Sequence, residues 1–165
     1  MRDTVPGVKS VDELTRQFRA QGLKVTPQRQ SIFRALSSSR VHPTAEAVYA
    51  AVSAEMPTIS LRTVYQTLND LASMGELSTL DVGTGATRFD PNLDPHHHLV
   101  CDSCGRIDDL QADLAGVTAP SALAAGGFQV TTTEIVFRGR CAACAADATH
   151  PTTPLDQPHT GDPHG

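Results

Sequence analysis

All four cysteines of this 165-residue chain fall into two pairs of identical spacing, Cys101-x-x-Cys104 and Cys141-x-x-Cys144. Such a pair turns two thiolates toward one point, and four thiolates at the corners of a tetrahedron are the favoured surroundings of a structural Zn²⁺. Thirty-six residues separate Cys104 from Cys141, more than in compact zinc ribbons. Closing a longer loop adds little entropy, so the gap does not argue against zinc. It does require a fold that brings a mid-chain turn against a C-terminal one. Zinc supplies on the order of 10 kcal/mol to a small unit with little core of its own. A redox dithiol and four unrelated thiols are the competing readings, and the matched spacing favours zinc.

Disulfides are the weaker reading because the opening MRDTVPGVKS carries no apolar segment of the signal-peptide kind. No apolar run approaches the ~20 residues of a bilayer span. The expectation is a cytoplasmic chain with no membrane partner. Its net charge of −5 looks wrong for a nucleic-acid binder. The charge is uneven, however. Residues 1–89 hold ten Lys and Arg against eight Asp and Glu, a balance of +2; residues 90–165 hold three against ten, a balance of −7. A weakly basic first half and an acidic second half point to two jobs.

The first half reads as helices. Ser10-Val-Asp-Glu13 is a capping-box pattern opening a helix that carries Val11, Leu14 and Phe18 and stops at Gly22. Thr26-Pro27 starts a second, with Ile32, Phe33 and Leu36 on one face. Thr44 caps a third, whose apolar stripe runs from Ala45 to Met56 before Pro57. Between Ser60 and Gly75 a fourth helix places Leu61, Val64, Tyr65, Leu68, Leu71 and Ala72 at helical spacing. That spacing leaves Arg62, Gln66 and Asn69 on the opposite face. Two strand-like runs, Glu76–Val82 and Ala86–Asp90, flank Gly83-Thr84-Gly85 and predict a β-hairpin. Helices followed directly by a Gly-tipped hairpin form the plan of a winged helix-turn-helix.

Beyond Asp90 the pattern predicts strands over His96–Cys101 and Arg106–Leu110, a short helix within Pro120–Ala125, and a long strand over Phe128–Arg138. After Cys144 the chain is Pro, Thr, Asp and His without apolar spacing, which predicts a disordered tail whose His150, His159 and His164 are solvated. The expected fold class is α+β. A winged helix-turn-helix domain spans 1–89, a second α/β domain with the four-cysteine zinc site spans 90–145, and the tail spans 146–165.

His96-His97-His98 precedes the first cysteine pair. On a strand His96 and His98 share a face and His97 takes the other. Two imidazoles with the nearby carboxylate of Asp90 make a mixed nitrogen and oxygen site suited to Fe²⁺, Mn²⁺ or Zn²⁺. A polar strand edge is the bland alternative. A hydrolytic metal centre, with His42 or Asp109 as general base, is another. It leaves the capped helix and the hairpin without purpose.

Val25-Thr-Pro-Gln-Arg29, His42-Pro-Thr44, Thr63-Val-Tyr65, Arg88-Phe-Asp90, His96-His-His98-Leu-Val-Cys101-x-x-Cys104-Gly105 and Cys141-x-x-Cys144 occur in this order. Together they resemble the Fur family of metal-responsive repressors over roughly residues 10–145. Within it the chain is most similar to the peroxide-sensing PerR branch. The resemblance implies a DNA-binding winged helix, a C-terminal dimerisation domain, and a regulatory Fe²⁺ or Mn²⁺ bound between them beside the structural Zn²⁺. The regulatory ligands it implies are His42, Asp90, His96, His98 and Asp109, the last fitting the family's spacing better than Asp108. It further implies that peroxide oxidises a ligand histidine, His42 or His96, and so ends repression of oxidative-stress genes. A Fur-type sensor of iron, zinc or nickel sufficiency is the alternative within the family.

On a two-fold, pseudo-palindromic DNA operator the homodimer would set its fourth helices in the major groove. Arg62 there suits guanine, and Gln66 or Asn69 suits adenine. Tyr65 lies at the family's contact position. Lys24 and Arg29 are expected on phosphates, and Arg88 of the hairpin in a minor groove.

Overall fold

Four helix caps set the first half of the molecule. In this computed structural model, which describes residues 8–39, 41–83, 85–112, 126–127, 129 and 133–147, the Ser10 hydroxyl accepts from the Glu13 backbone N–H while the Glu13 carboxylate accepts from the Ser10 N–H at 2.8 Å. That reciprocal box opens α1 (Val11–Ala20). Thr26, Thr44 and Ser60 accept in the same way from the residue three positions on and open α2 (Pro27–Ser37), α3 (Ala45–Glu55) and α4 (Leu61–Ser73). Past α4, Gly75 takes a φ of 71°, a left-handed conformation that its lack of a Cβ makes cheap. We expect Ser10→Ala to lose the half of the box that its hydroxyl makes, and with it about 1 kcal/mol. Thermal unfolding would show this as a melting temperature lowered by about 3 °C.

The apolar stripes of the four helices meet in one core in which Phe18, Ile32, Phe33, Val64, Leu68 and Leu71 are wholly enclosed. Phe18 and Phe33 pack edge to face with ring centroids 4.9 Å apart. The hairpin follows as β1 (Ser78–Leu80) antiparallel to β2 (Arg88–Asp90), with Leu80 opposite Arg88. It has two inner surfaces. Leu77 and Phe89 join the helical core, whereas Leu80 and Val82 pack with Val100 and Ile107 in a second, smaller cluster.

Those last two residues belong to a three-stranded sheet of order β4-β3-β5. Its strands are β3 (His97–Cys101), β4 (Ile107–Leu110) and β5 (Val136–Gly139). β4 runs antiparallel to β3 and β5 parallel to it. Side chains alternate across a strand, so His98, Val100, Ile107 and Asp109 share the face turned toward the hairpin. Leu99 and Phe137, opposite one another, share the outer face. The hairpin is thus the joint between the helices and the sheet.

The strands are shorter than the sequence pattern predicts. β5 covers Val136–Gly139, and the described residues 133–135 of the run expected over Phe128–Arg138 lie outside it, while 128 and 130–132 lie outside the described residues. Pro95, two residues before β3, has no N–H to extend a ladder. A fifth helix, α5 (Ala142–Ala146), was not expected and takes in the first residues assigned to the tail. The helix expected within Pro120–Ala125 and the tail from residue 148 onward, with His150, His159 and His164, lie outside the described residues.

Candidate metal centres

The parallel pairing of β3 and β5 assembles the cysteines. Cys101 ends β3 opposite Gly139 of β5, so Cys141 emerges two residues later beside it. Gly105, with a φ of 70°, folds the first pair back, its N–H donating to the Cys101 carbonyl at 2.8 Å. Cys141 caps α5, and that short helix carries Cys144. The four Sγ atoms all lie within 4.8 Å of one another, with Cys104 and Cys141 3.9 Å apart. Zn–S bonds of about 2.3 Å in a tetrahedron put sulfurs about 3.8 Å apart. The cysteines are free of disulfides, and the donor set and spacing fit Zn²⁺.

Electrostatics within the group points the same way. Backbone N–H groups of Cys141 and Cys104 bring the Cys101 thiol down to about 6. The neighbouring Cys141 and Cys104 side chains push Cys144 up to about 12. Four sulfurs this close cannot all ionise unless a dication offsets their charge.

A second cluster forms on the inner face of the sheet. His98 lies opposite Asp109 in the β3–β4 ladder, and antiparallel partners bring their side chains together. His96 precedes β3, Asp90 ends β2, and His42 comes from the turn between α2 and α3. Asp90 Oδ2 stands 3.1 Å from His96 Nε2 and 3.6 Å from His98 Nε2, and Asp90 Oδ1 is 3.6 Å from His42 Nε2. Asp109 Oδ1 is 3.0 Å from His42 Nε2 and 3.7 Å from His96 Nε2. Asp108 faces away and pairs with Arg106 at 2.8 Å. His42, Asp90 and His98 are almost completely buried.

The imidazoles are oriented from behind. His96 Nδ1 faces the Asp94 carbonyl at 2.7 Å, and His98 Nδ1 faces Glu134 Oε1 at 2.9 Å. Both rings are thereby held with Nε2 turned into the cluster. Those two Nε2 atoms stand 2.9 Å apart. His42 Nε2, close to Asp109 but out of hydrogen-bond alignment, is a buried atom without a partner. Ligand atoms of His42, His96, His98 and Asp109 all lie within 4.8 Å of one another, with Asp90 against the three imidazoles, and a cation among them would offset the crowding of donors. Two donors about 2.1 Å from an ion and at right angles lie about 3.0 Å apart, close to the distances observed. The residues fit a divalent ion with mixed ligands. Burial would raise the Asp90 carboxyl, but contacts from His42 and His98 and the Asn92 N–H outweigh it and hold it well below the carboxylate range. Burial would likewise lower His98, but Asp90 and Glu134 outweigh it and hold it above the ordinary imidazole value.

Asn92 and Glu134 were missed by sequence reasoning. Glu134 reaches His98 only through the β3–β5 pairing, which no local spacing announces. Asn92, two residues past Asp90, is a position at which an Asx turn was foreseeable.

On the helical side α4 exposes Arg62, Gln66 and Asn69. Gln66 donates to Asp70 at 2.8 Å. Tyr65 is exposed, with its hydroxyl donating to Glu46 at 2.5 Å. Lys24 is exposed. Two cations expected on DNA also have partners within the protein. Arg29 pairs with Asp70 at 2.8 Å, donates to the Lys24 carbonyl and lies over the Phe18 ring. Arg88 turns inward, donating to the carbonyls of His42 at 3.3 Å and Gly105 at 3.2 Å. Each has at least one part-buried acceptor. Among the described residues no helix is long and apolar enough to cross a membrane.

Residues 20–138 match the sequence profile of the Ferric uptake regulator family. The peroxide-responsive repressor PerR of Staphylococcus aureus strain Mu50 is 36% identical over 134 residues, covering 81% of this chain and 90% of that one. Among solved structures the chain is similar to the ferric uptake regulator of Vibrio cholerae, with 27% identity, 77% and 98% coverage and a TM-score of 0.65. It is also similar to a zinc-bound manganese uptake regulator, with 25% identity, 81% and 99% coverage and a TM-score of 0.60. The ferric uptake regulator of Helicobacter pylori, 17% identical over 88% of this chain and 100% of that one, shares the fold with a TM-score of 0.69.

Proposed function

This chain belongs to the Ferric uptake regulator family of metal-dependent repressors, and we propose that it senses hydrogen peroxide in the cytoplasm through the cluster of His42, Asp90, His96, His98 and Asp109. The observation that carries this reading is that one buried group of donors draws on the helices, the hairpin and the sheet at once. Side chains from three elements that share one ion fix those elements in one relative orientation. The ion's differential affinity for that orientation shifts the population toward it.

These five residues would hold a ferrous ion, which would supply the electron that turns hydrogen peroxide into an oxidant beside them. Of those ligands, His42 and His96 are the candidates to gain the oxygen. An imidazole that has gained oxygen is a poorer donor, and the three elements are then no longer held together. The similarity to a peroxide-responsive repressor supports this reading. The four cysteines, held by zinc, stand apart from it.

With the elements fixed, α4 of each copy presents Arg62, Gln66 and Asn69, with Tyr65 and Lys24, to a pseudo-palindromic DNA operator. Arg29 and Arg88, engaged within the protein, hold the reading head in shape. Leu99 and Phe137 form an exposed apolar strip on the outer sheet face. A second copy of the chain covers it in the homodimer. A hydrolytic role has no counterpart in the family.

The test is peptide mass spectrometry of Fe²⁺-loaded protein before and after a small dose of peroxide, with Mn²⁺-loaded protein as control. One added oxygen on the peptide of His42 or His96, with Fe²⁺ alone and zinc retained, is the expected result. Unmodified histidines reject the peroxide reading. They leave a repressor that reports metal supply, a second reading favoured by the similarity to ferric and manganese uptake regulators.

A further inference from the structure

Asn92 touches both carboxylates of the histidine cluster. Its backbone N–H donates to Asp90 Oδ1 at 2.8 Å, and its side-chain Nδ2 donates to Asp109 Oδ2 at 2.7 Å. Its side-chain oxygen accepts from the Asp94 N–H at 3.1 Å. The amide orientation is thereby fixed, because only the oxygen can accept and only the nitrogen can donate to Asp109. Behind it, the Asn92 backbone forms an isolated antiparallel bridge with Val8, which is itself buried. The next residue, Lys9, is tied to Glu76 at 2.5 Å. Asn92 is thus anchored by the N-terminal strap and by the turn that follows β2.

The two oxygens of Asp109 have different surroundings. Oδ1 faces His42 and His96, and Oδ2 faces the Asn92 amide. A carboxylate can give one oxygen or both to a divalent ion, and the choice changes both coordination number and affinity. Asp109 itself is only partly enclosed, its side chain being 32% exposed, so its own packing does not set that choice. The amide does, by engaging Oδ2 and turning Oδ1 inward.

We propose that Asn92 is a positioning residue that makes Asp109 a one-oxygen ligand and so sets the affinity and ligand count of the regulatory site. This rests on reading the cluster as a metal site, and the two ideas can fail separately. Outer hydrogen-bond partners of this kind are typically worth about 10- to 100-fold in metal affinity.

The experiment uses the full chain with its zinc in place and Mn²⁺ alone as probe. Dissociation constants are measured by competition with a chromophoric chelator for wild type, Asn92→Ala, Asn92→Leu and Asp109→Asn. Leucine keeps the shape of asparagine and removes both its donor to Asp109 and its acceptor for the Asp94 N–H. X-ray absorption at the manganese edge counts the ligands. Both Asn92 variants are expected to bind Mn²⁺ about 10- to 100-fold more weakly, with one further oxygen neighbour at the metal. Their zinc content and metal-free melting temperature should match wild type. Wild-type affinity and ligand count in both variants overturn the role of Asn92. So does weakened binding accompanied by lost zinc or a lowered melting temperature, which would make its role purely structural. Wild-type affinity in Asp109→Asn instead overturns the metal-site reading itself.

Discussion

Cys104→Ser is expected to yield a protein that carries no zinc, does not dimerise and has lost specific DNA binding by more than about 100-fold. The sheet that holds the cysteines has three short strands, and the cluster beneath it contains only Leu80, Val82, Val100 and Ile107. Among the described residues that cluster is small, and the ~10 kcal/mol of a structural zinc is comparable to the whole stability of a domain. Metal analysis, size-exclusion chromatography and a gel-shift assay check the three losses in turn. A variant with full zinc content and wild-type mass in solution would show that the cluster is not a structural metal site.

His42→Ala should separate metal response from folding. Both ring nitrogens of His42 are buried without a hydrogen-bond partner, a condition that costs a folded protein about 1–3 kcal/mol per group. Truncation opens a cavity but relieves that penalty, so the metal-free melting temperature should change little. The loaded protein is another matter. Wild type with free Mn²⁺ about 1,000-fold above its dissociation constant gains about 4 kcal/mol, or about 10 °C for a chain of this size. That gain should vanish in His42→Ala, and DNA affinity should cease to rise with Mn²⁺. Scanning calorimetry with and without Mn²⁺ measures the first effect and fluorescence anisotropy on operator DNA the second. A variant that keeps the full Mn²⁺-dependent shift removes His42 from the ligands and leaves the helices untethered to the sheet.

The helices were legible because their signals are local. Ser10 and Glu13, Thr26, Thr44 and Ser60 each act within one turn, and the apolar stripes between them name the core directly. The convergence of His42 with Asp90, His96, His98 and Asp109 was reached by resemblance alone. Spacing by itself offered the face shared by His96 and His98, with the carboxylate of Asp90 nearby. What stayed hidden depends on tertiary pairing. Glu134 meets His98 because β5 lies parallel to β3, a contact between residues 36 apart. β5 itself spans four residues, where alternation of side chains had predicted a far longer strand. Arg29 and Arg88 illustrate a related limit. A cation near a motif reads as a surface contact until the fold supplies Asp70, or the carbonyls of His42 and Gly105, to turn it inward.

One five-residue strand carries a donor for each centre, His98 and Cys101, and Arg88 joins the turn of the first cysteine pair to the backbone of His42. Zinc is therefore expected to be needed before the second ion. Without it the strand that presents His98 would have no fixed end, and the responsive site would not be built. In a zinc-starved cell newly made chains would be deaf rather than merely fragile, and the genes they silence would be expressed whatever the supply of iron or manganese. Zinc sufficiency becomes a precondition of the response, imposed by the path of the chain without a ligand of its own to report it.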